Sequence, residues 1–263
     1  MPFQIDVLSE DNLQDTLRIL AANPLENITL IADCTQLGPW CDVNVLKEGG
    51  AIKAVFSLYE DLDFKATAFW SVSSSHLKII MEEYADRLQD SGFVAICTGS
   101  QLEQLKKVCS SIDPIRERQM YTDPSTTLTC RCDTEPARLS RKDAEELKEL
   151  YNVCGTPAWT PNALELGPFY GIRNGEDRLV SVAGVHYVTS YGAEIGNVAT
   201  HPQHRRRGYA QACTKAVTQE VLKKSMLVVL HFFTDNHAAQ TLYENMGFQY
   251  SLVDPVFFVK AEI

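Results

Sequence analysis

AEIGNVATHPQHRRRGYAQ, residues 193–211, is the passage on which the reading of this chain turns. Its first eight residues favour extended backbone, and His201-Pro202 ends them, because proline has no amide hydrogen and biases its predecessor away from helix. From about Arg207 to Lys224 the period changes, with Ala210, Cys213, Val217 and Val221 on one helical stripe. The spacing therefore predicts strand, turn and helix, and the turn carries Arg205, Arg206 and Arg207 ahead of Gly208. The first amides of a helix have no intrahelical partner and sit at the positive end of its dipole. Cations there are electrostatically misplaced unless an anion arrives, and Gly208 and Ala210 are small enough to let one touch the backbone.

The totals bound the alternatives. A chain of 263 residues with 45% hydrophobic and 22% charged residues reads as globular, and its length suggests two domains. Its formal charge of −10 argues against a dedicated nucleic-acid binder using the arginines. Residues 1–132 hold 11 basic and 19 acidic side chains, a net of −8, against 13 and 15, a net of −2, for the remainder. Any anion site near the arginines is thus local. The longest apolar run, MLVVLHFF, is too short to cross a membrane and contains a histidine. The opening MPFQIDVLSEDN does not read as a secretory signal. Eight scattered cysteines without a CxxC pair read as reduced thiols, with CRC at 130–132 alternating like a strand. No zinc-type ligand spacing is present, so the expectation is a cytoplasmic protein without a metal.

Around the central passage the second half continues in readable units. A helix over 140–155 and a hairpin over 169–188 with its turn at Asn174-Gly175 come before it; a buried strand over 226–234, a helix over 236–246 closed by Gly247, and strands around FQYSL and VFFVKAE follow. The first half repeats this order. A helix at DNLQDTLRILAA precedes a hairpin turning at Gly49-Gly50, a strand ATAFWSV, a helix HLKIIMEEYADRLQD, a strand FVAICT, a helix SQLEQLKKV, and strands flanking Asp123-Pro124. Thr98-Gly99-Ser100 answers Thr234-Asp235-Asn236, and Met120–Pro124 answers Ser251–Pro255. The expected architecture is two copies of one α+β unit, divided into residues 1–132 and 133–263.

These residues resemble the GNAT superfamily of acyl-CoA-dependent N-acyltransferases. Its signature, Arg/Gln-x-x-Gly-x-Gly/Ala followed by an Asn-led helix ending in Tyr-x-x-x-Gly-Phe, is met in order by Arg205, Gly208 and Ala210, then Asn236, Tyr243, Gly247 and Phe248. The motifs cover roughly residues 135–263, and the first half joins by element order alone. The resemblance implies tandem GNAT-like folds, each a mixed central sheet flanked by helices, the first degenerate and the second catalytic. It implies acetyl-CoA as cosubstrate and a small-molecule or peptide amine as acceptor, with direct attack in a ternary complex. Backbone amides from Arg206 through Arg207, Gly208 and Tyr209 to Ala210 would hold the CoA pyrophosphate. The strand end at Val198, Ala199 and Thr200 would pair with the pantetheine arm, and the amide near Val198 would face the thioester carbonyl. Asn236, the expected cap of its helix, would also touch that arm. Tyr243, about 10 Å further along the same helix face, would protonate the departing thiolate.

Glu194, eleven residues before Arg205, is the candidate base, with His186 as a rival. Each has an ordinary reading too, a charged strand residue and a packed histidine. His201 and His204 alone do not make a metal site, and Cys213 falls on the packed stripe rather than where a nucleophile would sit. In the first copy the corresponding turn reads Val72-Ser73-Ser74-Ser75, and Lys107 stands where Tyr243 stands. One CoA site per chain is expected, with the first domain as scaffold or acceptor wall. Trp159 to Tyr170 is assigned to the acceptor side by position. The competing class is a non-catalytic acyl-CoA-binding regulatory module; the acceptor and the oligomeric state are left open.

Overall fold

A computed structural model describes residues 2–89, 91–155 and 159–263. In chain order the elements are β1 (Phe3–Val7), α1 (Glu10–Leu20), α2 (Pro24–Asp33), β2 (Cys41–Glu48), β3 (Ala51–Tyr59), β4 (Ala66–Ser71), α3 (Ser74–Glu82), α4 (Ala85–Leu88), β5 (Phe93–Thr98), α5 (Gly99–Leu105) and β6 (Ser111–Thr122). Then follow β7 (Ala137–Arg138), α6 (Ala144–Cys154), α7 (Ala163–Leu166), β8 (Tyr170–Arg173), β9 (Leu179–Val188), β10 (Ala193–Thr200), α8 (Tyr209–Val221), β11 (Val228–Phe233), α9 (His237–Met246), β12 (Gln249–Tyr250) and β13 (Val256–Glu262). No helix is long and apolar enough to cross a membrane among the described residues.

Contacts divide the chain into two compact units, Met1–Gln119 with Leu252–Ile263, and Met120–Ser251. This differs from the division at residue 132, and the last twelve residues belong to the first unit. The reason is pairing. Val256 to Ala261 run antiparallel to β5, and Val259 and Ala261 are buried in the same core as Phe56, Leu77, Ile80 and Phe93. Local sequence pattern marks β13 as a strand but carries no information about its distant partner.

In the first unit the strand order is β1-β2-β3-β4-β5-β13, with β13 also paired to the first part of β6. The β2–β3 hairpin turns at Gly49 and Gly50, whose φ values of 59° and 82° explain the paired glycines. Helix α1 carries the Ser9–Asn12 capping box. The helix expected over 76–90 is two helices, α3 and α4, parted at Tyr84, a ring buried against Phe56; Asp90 lies outside the described residues. Strand β1 and helix α2 were not anticipated, although Pro24 after Asn23 is a helix-start signal.

The second unit orders its strands β11-β10-β9-β8-β7, with β12 on the last residues of β6. Its core lies between these strands and the pair α8 and α9, and holds Ala193, Ile195, Cys213, Val217, Val228, Leu230, Phe232, Tyr243 and Met246. A second cluster gathers Leu147, Leu150 and Tyr151 of α6 with Phe169, Val182 and Ala199. The CRC segment forms no strand: Cys130 and Cys132 lie against the α8–α9 core, and Thr129 donates its amide to Met246 O at 3.1 Å.

Candidate active site

Strands β10 and β11 run parallel but pair only at Ala193–Val228 and Glu194–Val229. Beyond that point the β11-facing edge of β10 has no strand partner among the described residues. On its other side β10 pairs with β9, interrupted by a bulge between Gly196 and Ala199. Asn197 inside the bulge has φ 54°, and Arg206 in the following turn has φ 62°. Left-handed backbone at non-glycine residues stores strain and gathers at functional sites, and two of the three cases among the described residues fall in this one passage. Gly196 leaves room for the His186 ring, which a Cβ there would enter.

The turn after β10 is built around Arg206 and Gly208, both left-handed, with Gly208 as the N-cap of α8 at φ 79°. No side chain caps this helix. Among the described residues nothing accepts from the amides of Arg206, Arg207, Gly208, Tyr209 or Ala210. Successive free amides in such a turn form a concave nest for an anion, reinforced by the dipole of a thirteen-residue helix. Arg205 Nε donates to Thr200 O at 3.1 Å across the turn. Arg206 and Arg207 are exposed beside it. Gly208 is also crowded, because a Cβ would lie 2.8 Å from the Cys132 Cβ.

Glu194 is buried, and its two oxygens are both engaged. Tyr187 Oη donates to Oε2 at 2.6 Å, and His231 Nδ1 lies 2.9 Å from Oε1. Burial opposes its charge, but the His231 ring, then His186 and the Tyr187 hydroxyl, more than offset that and hold the carboxyl at about 2. An ionised carboxylate only accepts, so His231 Nδ1 carries a hydrogen. Strand alternation puts Tyr187, Glu194 and His231 on the face opposite Ala193, Ile195 and Phe232. Tyr243 lies on that latter side, against Phe232 and Phe248 at ring distances of 5.7 and 5.8 Å. Burial pushes its pKa well up, and its hydroxyl makes no hydrogen bond among the described residues. Asn236 caps α9 by accepting from Ala239 N at 3.1 Å. Thr200 Oγ1 and Ser181 Oγ are 2.8 Å apart, Val198 packs against the α8–α9 core, and Ala199 joins the α6 cluster.

The structure thus gathers the nest, the open strand edge and Glu194 along one β10–α8 passage, and sets Tyr243 across the sheet from Glu194. Sequence reasoning missed Tyr187 and His231. The available signal was a histidine inside an otherwise apolar strand. Among the described residues no cluster of three or more His, Cys, Asp or Glu side chains is placed to hold a metal, and His201 and His204 merely stack edge to face.

Residues 169–255, about a third of the chain, match the FR47-like protein family, which is related to the GNAT proteins. A Drosophila protein of known structure is 13% identical with a TM-score of 0.76, covering 98% of each chain. A tandem GNAT protein from the clavulanic acid biosynthesis pathway is 13% identical with a TM-score of 0.65, covering 99% of this chain and 98% of its own. A GCN5-related N-acetyltransferase from Kribbella flavida is 16% identical with a TM-score of 0.62, covering 80% and 86%. No curated protein matches the sequence significantly. In fold this chain is similar to the tandem GNAT proteins, an α+β architecture of mixed sheets flanked by helices, and the family match runs through most of its second unit into the first residues after Ser251.

Proposed function

We propose that the protein is an acetyl-CoA-dependent N-acetyltransferase whose acceptor is a primary amine. The observation that carries this reading is the set of unpartnered amides from Arg206 to Ala210 at the start of α8, adjoining a strand edge left open beyond Glu194. Together they fit a ligand with a pyrophosphate at one end and an extended amide-bearing arm at the other. The bound cosubstrate supplies an acetyl group activated as a thioester. The chain's own residues do the rest: the nest and the exposed Arg206 and Arg207 hold the phosphates, and the bulged strand at Val198, Ala199 and Thr200 aligns the arm. In this reading the Val198 amide donates to the thioester carbonyl oxygen as charge builds on it.

An amine must lose a proton to attack. Glu194 alone is a poor acceptor at neutral pH, since it is held at about 2. The Glu194–His231 couple is the better unit, with the carboxylate orienting the ring through Nδ1 and favouring the imidazolium that results. Tyr243 keeps its proton across the neutral range and gives it to the leaving thiolate. The competing reading, a non-catalytic acyl-CoA-binding module, is favoured by one observation, that both Glu194 oxygens are already occupied. The two separate in an assay of the full chain with acetyl-CoA and a panel of primary amines, scored by mass of the acetylated product. Product with at least one amine class supports the enzyme. Tight acetyl-CoA binding without product for any of them supports the binding module.

A further inference from the structure

The segment that follows β6 lies against the start of α8 and carries two thiols. Thr129 ties it to the end of α9 through Met246 O, and Arg131 N donates to Gln211 Oε1 at 3.4 Å in the first turn of α8. Between these anchors the backbone folds back on itself. Cys132 N donates to Cys130 Sγ at 3.4 Å, and that thiol donates to Cys132 O at the same distance. Two residues of chain span at most about 7 Å, and the fold-back shortens this span toward the Cα separation of about 4.4–6.8 Å that a disulfide bridges. Both thiols are only half-buried, with exposed Arg131 between them, so a small reagent can reach them. Other thiols differ: burial pushes Cys97 and Cys213 up to about 12 and Cys109 to about 11, which keeps them protonated and unreactive.

We infer that Cys130 and Cys132 form a thiol–disulfide exchange site set against the phosphate nest. The co-reactant is a small disulfide of the glutathione type. One cysteine thiolate attacks a glutathione sulfur, which makes a mixed disulfide and releases the first glutathione thiolate. The other cysteine thiolate displaces the second glutathione and closes the Cys130–Cys132 bond. Both cysteines are oxidised, their two protons pass to the glutathione thiolates, and one glutathione disulfide is reduced to two thiols. The consequence for the nest is geometric. The Cys132 Cβ lies 2.8 Å from where a Cβ on Gly208 would stand, so Cys132 is the wall against which the left-handed N-cap of α8 is set. Closing the bond draws Cys132 toward Cys130 and off Gly208, and the amides from Arg206 to Ala210 lose their common focus. This consequence rests on the acetyl-CoA reading of the nest.

The test treats the full chain, and Cys130→Ser beside it, with oxidised glutathione. Tryptic cleavage after Arg131 puts the two cysteines on separate peptides, so their disulfide is read by mass as a linked pair. The wild type is expected to give this pair and to lose it in dithiothreitol. While oxidised it should bind acetyl-CoA roughly tenfold more weakly in calorimetry, and reduction should restore the affinity. Cys130→Ser, kept reduced, should bind acetyl-CoA like the wild type, and under oxidant it should stop at a glutathione adduct on Cys132. No linked pair from the wild type, or a linked pair that leaves acetyl-CoA affinity unchanged, overturns the inference. A chain that forms the linked pair but binds no acetyl-CoA when reduced overturns the acetyl-CoA reading and not the exchange site.

Discussion

The two units open the same kind of gap and fill it differently. In the first, β4 and β5 pair only at Ala66–Val94 and Thr67–Ala95, as β10 and β11 do at Ala193–Val228 and Glu194–Val229. Thr67 pairs with Leu58 as Glu194 pairs with Tyr187. Two residues past the parallel pairs stand Cys97 in one unit and His231 in the other. The hydrogen-bonded Tyr187–Glu194–His231 group is thus replaced by Leu58, Thr67 and Cys97. The strand edge is closed by Gln101 and Gln104. The helix that follows is closed as well: Ser73 accepts from His76 N and contacts His76 Nδ1 at 2.7 Å, whereas Gly208 offers no cap. The lesson is that the splayed fold supplies a gap and only the side chains decide whether a ligand can use it.

The sharpest way to break this contrast is at Glu194. Glu194→Gln should lower turnover with an accepted amine by about 100- to 1000-fold while leaving acetyl-CoA affinity within a factor of about two. A variant with full turnover would mean that the polar trio is no more functional than Leu58, Thr67 and Cys97. Tyr243→Phe should cost less, roughly tenfold in kcat, because water can replace the proton donor in part. Its ring contacts survive, so the thermal midpoint should hold.

Much of this contrast was legible in the sequence, because Arg205 to Ala210 and Asn236 to Phe248 are local patterns whose chemistry depends on neighbours along the chain. The rest depends on partners far away. His231 reads as one polar residue in an apolar strand until Glu194 is placed against it. Gln101 and Gln104 read as helix surface until Phe69 and Ser71 offer their carbonyls. Arg205 also donates its Nε to Thr200 O, a contact across the turn that the family signature does not express. The destination of β13 was invisible for the same reason.

Gln101→Ala should destabilise the first unit by about 1–3 kcal/mol in denaturant unfolding, since Phe69 O loses its buried donor. Acetyl-CoA stoichiometry should remain one per chain, and a second equivalent bound would show that the plug alone had closed that unit. The acid limb of stability tests Glu194 differently. Its folded pKa of about 2 lies below the ordinary 4.5, so its contribution is complete above 4.5 and is lost as pH falls toward 2. The stability gap between wild type and Glu194→Gln should therefore shrink as the pH falls between those values.

The central claim, that the start of α8 is an open phosphate nest, is tested most directly by calorimetric titration of the full chain with acetyl-CoA beside Ala210→Glu. This substitution puts a carboxylate where the phosphates would lie. It also suits the first turn of a helix, so α8 is kept; replacing Gly208 would instead strain a left-handed residue against Cys132. The account predicts wild-type binding in the micromolar to submillimolar range and a loss of roughly 100-fold in the variant, at unchanged thermal midpoint. Undiminished binding by the variant, or none by the wild type, would contradict it.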